Sequence, residues 1–141
     1  MRYVLDSDLL SLYQRGDELL KRHLSQVPSE HAAISIISVE ELLRGRLAQV
    51  RRAKHAHERV QAYYWLSKTL DFLCNFPVLQ YDSRAEAYFQ LFLERKIRIG
   101  IQDLKIAAIA LSHNAILLTR NHRDFQHIPD LKCEDWSISE R

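Results

Sequence analysis

Cysteine, glycine and proline are all scarce in this chain: two cysteines, three glycines and three prolines in 141 residues. Cys74 and Cys133 stand apart, without zinc-site or disulfide-framework spacing. The fold must therefore hold by burial alone, and the thiols are expected to be reduced, as in a cytoplasm. Neither a Walker sequence nor a GxGxxG turn is present, which removes the main support for a nucleotide-cradling fold. There is no HExxH, the seven histidines are scattered, and His122 and His127 lie off one helical face. Zinc fits badly. Met1 is followed at once by RYVLD, so no signal-peptide apolar region is expected, and no run approaches the length needed to span a bilayer.

What is present is ordinary in bulk and informative in pattern. The apolar share of 47% and charged share of 27% are those of a globular chain. The length suits one domain over residues 1–141. The net charge of +2 decides nothing, but its distribution is uneven. Arg44, Arg46, Arg51, Arg52, Lys54 and Arg59, with His55 and His57, face a single acid, Glu58. Such a stretch is either a solvated helix face or a surface for a polyanion.

The stretch from Gly100 to Phe125 organises the rest. Leu104–Leu111 is apolar apart from Lys105, and a helix apolar all round belongs inside a domain. Ala115–Leu118 reads as a strand buried on both faces of a parallel sheet. Earlier in the chain, Arg2–Leu5 predicts a first strand followed by a helix, and Asp17–Val27 a second helix that Pro28 ends. Ala32–Ile37 predicts a second strand, with Ser38 as the next N-cap and Glu41 as its capping-box partner. Two helices follow up to Phe76, breaking within Arg51–Ala56, the second with Tyr63, Leu66, Leu70 and Leu73 as its core stripe. Pro77–Gln80 is a third strand, Asp82–Lys96 a helix capped by Asp82, and Leu131–Cys133 an edge strand, with Ser137–Arg141 the tail most prone to fray. Strands alternating with helices imply a mostly parallel sheet of four to five strands, covered on both faces.

Ligands of such sheets bind beyond the carboxyl ends of the strands. Asp6 follows strand one, Glu41 lies early in the helix after strand two, and Asp103 heads the helix before strand four. Asn121 and Asp124 follow strand four. Carboxylates gathered at short range need a cation among them, and oxygen-only donors select Mg²⁺ or Mn²⁺, which can activate water for attack on a phosphodiester. Each residue also has a purely structural reading. Asp6, Asp103 and Asn121 can cap helices, Glu41 can close the box with Ser38, and Asp124 can be a surface acid.

The segments YVLDSDLLS, ISIISVEELLRG, IQDLKIAAIAL and ILLTRNHRDFQHIPDLKCEDW resemble the successive motifs of PIN-domain proteins, specifically the VapC-like toxins of bacterial toxin–antitoxin pairs. The resemblance covers nearly the whole chain and implies a three-layer α/β/α PIN-like domain. It implies a Mg²⁺- or Mn²⁺-dependent endoribonuclease, held in check by a VapB-type antitoxin and commonly dimeric. Asp6 and Asp103 match ligands of the principal metal, Glu41 a ligand or the residue orienting the attacking water, and Asn121 and Asp124 the remainder of the site. Some relatives carry an Asp at the position of Asn121; here an amide stands there, so Asp124 is the residue left to supply the fourth charge. Ser7 and Thr119 are expected to hydrogen-bond the carboxylates, and Arg44 and Arg46 to contact RNA phosphate. The helices around Tyr63–Leu73 and Leu9–Leu20 are the expected dimer surface. The competing expectation is a PIN-like module that binds RNA or protein without cutting.

Overall fold

A computed structural model of the chain describes residues 2–139. Five strands form one sheet in the order β3-β2-β1-β4-β5, and every pairing is parallel. They are β1 (Tyr3–Leu5), β2 (Ala32–Ser35), β3 (Val78–Leu79), β4 (Ile116–Leu118) and β5 (Cys133–Glu134). The central register aligns Val4 with Ala33 on one side and with Leu117 on the other. Side chains of a strand alternate between faces, and the core divides accordingly. Val4, Ala33 and Leu117 pack with α5 (Ser83–Glu94) and α6 (Ile101–Ser112) on one face. Leu5, Ile34, Ile116 and Leu118 pack with α1 (Ser7–Gln14), α2 (Glu18–Ser25) and the end of α4 (Ala56–Leu73) on the other. The result is three layers, helix–sheet–helix, as the sequence implies.

Helix α6 is the centre of its layer. Ile106, Ala107, Ala108, Ile109 and Ala110 have no exposed surface. The alanines let the helix lie close to the sheet while each isoleucine contributes about 1.5–3 kcal/mol through burial. Lys105 escapes this layer with its ammonium 5.7 Å from the centre of the Phe89 ring. Among the described residues no buried side-chain polar atom lacks a hydrogen-bond partner, both cysteines are free, and no helix is long and apolar enough to cross a membrane. Glu140 and Arg141, part of the tail expected to fray, lie outside the described residues.

Three expectations need correction. Strand β2 stops at Ser35, and α3 (Ile36–Arg52) starts two residues before Ser38. Ser35, not Ser38, is the N-cap, its Oγ accepting from the Ser38 N–H at 3.1 Å. The β-branched pair Ile36-Ile37 imitates a strand locally, but a cap hydrogen bond and packing outweigh that modest propensity. In α4 the expected stripe fails at Tyr63 (57% exposed) and Leu70 (53% exposed). The buried face is Ala62, Thr69 and Leu73, with Leu66 half-buried; Thr69 meets α3 through Arg46, and Leu73 joins the core beneath α1 and α2. Finally, Leu9–Leu20 is not one helix: Gly16, at φ +91°, turns the chain between α1 and α2. That left-handed conformation suits glycine.

Candidate active site

The end of β1 delivers Asp6 directly to the carboxyl edge of the sheet. Its backbone N–H extends the ladder to the Leu118 carbonyl at 3.0 Å, and its side chain caps α1, Oδ1 accepting from the Leu9 N–H at 2.8 Å. Oδ2 accepts from the Thr119 hydroxyl at 2.5 Å. Thr119, fully buried at the end of β4, in turn accepts from the Asn121 N–H at 2.9 Å. The capping reading and the chemical reading of Asp6 thus coexist in one side chain. Only 5% of Asp6 is exposed. Burial pushes its carboxyl up to about 6, against the lowering by the Thr119 and Leu9 hydrogen bonds and with the negative charges of Asp8 and Asp103 adding to the rise.

Asp103 enters from α6. Gly100, not Asp103, is the N-cap of that helix, which leaves the Asp103 carboxylate free of a capping duty. It is half-buried, and its carboxyl is raised above the ordinary range by burial first, then by the charges of Glu41 and Asp124. Glu41 lies one and a half turns into α3 and makes no capping box with Ser38. Its Oε1 accepts from the Ser7 hydroxyl at 2.5 Å, and Ser7 Oγ also lies 2.9 Å from Ser38 Oγ. A serine pair from α1 and α3 therefore orients Glu41 across the crevice. Asn121 caps the one-turn helix α7 (His122–Phe125): its Oδ1 accepts from the Asp124 N–H at 3.3 Å, and its Nδ2 donates to Asp124 Oδ2 at 2.9 Å. Amide and acid thus form a unit rather than two independent ligands.

Around this crevice the charges are sorted. Glu40, exposed, accepts from Gln102 at 2.9 Å and from Arg44 at 2.5 Å, tying α3 to the start of α6. Arg44 is thereby engaged within the chain. Arg46 is not a loose surface cation either: Nε donates to Thr69 at 3.0 Å, Nη1 to Gln49 at 3.2 Å, and the guanidinium lies 5.3 Å from the Trp65 ring centre. The Arg120 guanidinium grips Asp8 with two bonds, 2.8 and 3.0 Å. Sequence reasoning overlooked Arg120; its place directly after β4 was the available signal.

The four acids repel one another in a chain, Asp6 with Asp103 and Asp103 with Glu41 and Asp124. Among the described residues no three of His, Cys, Asp and Glu are drawn together closely enough to hold a metal ion. The donors are all hard oxygens, and two carboxyls are raised above their ordinary values. A site short of positive charge and rich in carboxylate and amide oxygen suits Mg²⁺ or Mn²⁺ in chemistry.

A three-layer parallel α/β domain with such an acidic crevice at its carboxyl edge is the architecture of the PIN-like class. A family model described as "PIN domain" matches residues 3–131. The chain is 31% identical over 134 residues to a ribonuclease VapC of Rickettsia bellii, covering 94% of each chain. It is 28% identical over 139 residues to ribonuclease VapC1 of Haemophilus influenzae strain R2866, covering 97% of this chain and 99% of the relative. In three dimensions it matches the DNA-bound VapBC structure from Salmonella typhimurium with a TM-score of 0.80 at 22% identity, over 96% of this chain and 98% of that one. The chain belongs to the PIN domain family.

Proposed function

We propose that this protein is a metal-dependent endoribonuclease that hydrolyses RNA phosphodiester bonds as the toxin of a VapBC-type pair, in the cytoplasm. The observation that carries the reading is the coupled set of acids at the carboxyl edge of the sheet: Asp6, raised by burial and by the charges of Asp8 and Asp103, and Asp103, raised by burial and by the charges of Glu41 and Asp124. The names of the relatives, ribonuclease VapC, support the substrate class. The VapBC likeness supports a VapB-type antitoxin as partner.

Asp6 and Asp103 would hold Mg²⁺, or Mn²⁺ in its place, with Asn121 and Asp124 completing the donor set. Bound there, the cation would supply Lewis acidity at the phosphate and an acidified water. Glu41 has one carboxylate oxygen fixed by Ser7, which leaves Oε2 to bind the cation or to orient the attacking water. Thr119 holds Asp6 in place through its hydroxyl, which keeps that carboxylate aimed. Arg44 and Arg46 contribute positive potential toward the RNA backbone. A homodimer would use the exposed side of α4, where Tyr63, Tyr64 and Leu70 face solvent, with the Leu9–Leu20 region as the other candidate surface.

A second reading, a PIN-like module that binds RNA or protein without cutting, draws on the amide at position 121 and on the open arrangement of the acids. Incubation of purified, antitoxin-free protein with total RNA in Mg²⁺, Mn²⁺ or EDTA separates the two. Cutting that requires the metal supports the nuclease; RNA intact under every condition favours the binding module.

A further inference from the structure

A groove of about 520 Å³ with a mixed lining runs along the seam between α1 and α3. It starts at Ser7 and Glu41 and reaches Arg46 and Arg52. Glu41 and Arg52 are separated by about 16 Å along the helix, at 1.5 Å per residue. Its length therefore exceeds what one reacting phosphate needs, and its two ends differ in sign.

Gly45 stands midway along the wall. Glycine in a helix interior is disfavoured relative to alanine, because it costs backbone entropy without packing anything. Nothing inside the chain requires it: a Cβ built at Gly45 meets no atom within 4 Å. The open space beside Gly45 leaves room for close approach of a ligand to the helix backbone. Just beyond it, Arg46 is fixed in advance by Thr69, itself fully buried, and by Gln49 and the Trp65 ring. A charge so held loses little freedom when it meets a ligand. Arg52, exposed at the far end, forms no ion pair among the described residues. Leu42 is the one large apolar side chain in the lining, whereas protein partners dock through buried aromatic or aliphatic anchors. Beyond the acids Asp8 and Glu41, the latter at its start, the hydroxyl of Ser11, the amides of Gln14 and Gln49 and the two arginines suit a phosphate–sugar backbone instead.

We propose that this groove carries a single-stranded RNA segment away from the acidic crevice. In it a phosphate neighbouring the reacting one lies against Arg46 and Arg52, and the strand crosses α3 at Gly45 too closely for a side chain. The proposal rests on the nuclease reading for its orientation, but its binding claim is testable separately.

The test uses Asp103→Asn protein in EDTA, so that RNA is not consumed, with a short fluorescein-labelled single-stranded RNA of mixed sequence followed by anisotropy. Adding Gly45→Leu is expected to weaken binding by about tenfold or more, a loss of about 1.4 kcal/mol, while the melting temperature holds or rises. Arg52→Ala is expected to weaken binding and to reduce the slope of log K against log salt by about one. RNA binding unaltered by Gly45→Leu, no measurable binding by the parent, or an unaltered slope for Arg52→Ala would each overturn the groove. Cleavage of total RNA in Mg²⁺ keeps the two claims apart. If wild type and Gly45→Leu cut equally fast, the nuclease stands and the groove falls. If wild type does not cut yet binding still depends on Gly45, the groove stands and the nuclease reading falls. Gly45→Leu protein that binds RNA normally but no longer holds its antitoxin would make the groove a protein interface, against the proposal.

Discussion

Replacing Asp6 by asparagine is expected to stabilise the metal-free protein, and to do so only where Asp6 would be ionised. The folded carboxyl sits at about 6 against an ordinary value of 3.8. That difference of about two pH units corresponds to about 3 kcal/mol, at 1.36 kcal/mol per unit. The sign follows from the direction. The folded state holds this proton more tightly than the unfolded chain, so the penalty is absent below pH 3.8, grows as pH rises toward 6, and is complete above it. Asparagine is as good an N-cap as aspartate and keeps an oxygen for the Leu9 N–H. The Thr119 hydroxyl, which already accepts from Asn121, can turn to accept from the new amide as well. Asp6→Asn should therefore gain about 3 kcal/mol at pH 8 and almost nothing at pH 4. At about 3 °C per kcal/mol for a chain of this size, the melting temperature should rise by about 9 °C. Saturating Mg²⁺ at a hundred times its Kd should return about 2.7 kcal/mol to wild type and little to the variant. Thermal melts of chelator-treated protein at pH 4, 6 and 8, with and without Mg²⁺, read all of this. A variant less stable than wild type at pH 8, or a difference that does not change with pH, would refute the reasoning.

Three further substitutions probe the supports of the site and the fold. Ser7→Ala removes the hydroxyl that fixes Glu41 and should slow cleavage by about 10–100-fold, as losing a ligand's partner commonly does, while thermal melts stay close to wild type; an unchanged rate would show that Glu41 does not need that orientation. Ile109→Ala, at a position with no exposed surface in α6, should cost about 2–5 kcal/mol in urea unfolding, and a loss below about 1 kcal/mol would remove α6 from the centre of the core. Arg120→Ala breaks an exposed pair with Asp8 and should change stability by less than about 1 kcal/mol; a larger loss would mean that the pair anchors α1 to the end of β4.

The parts of this molecule that were legible in the sequence are those with local signals. Asp82 before Ser83–Glu94 caps its helix as read, the break between α3 and α4 falls inside the polar stretch Arg51–Ala56, and the apolar block 104–111 is the buried helix it resembles. Asp6 was legible because strand, acid and helix follow one another directly. What was misread depends on contacts between distant residues. Glu41 looked like a partner for Ser38, three residues away, yet it is held by Ser7, 34 residues away. Arg46 looked like a free surface cation because its partner Thr69 lies on another helix. Tyr63 and Leu70 follow a helical period, but hydrophobic spacing alone does not tell a core face from a surface left open for a partner.

The central claim is that the acidic crevice cuts RNA. Its most direct test is metal-dependent cleavage of total RNA by Asp103→Asn protein beside wild type, with circular dichroism confirming matched folding. Removing one charge from the repelling chain of Asp103, Glu41 and Asp124 relieves repulsion, so the fold should persist. The account predicts a folded variant that leaves RNA intact in Mg²⁺ and Mn²⁺ while wild type cuts it. An Asp103→Asn protein that cuts at the wild-type rate would contradict it.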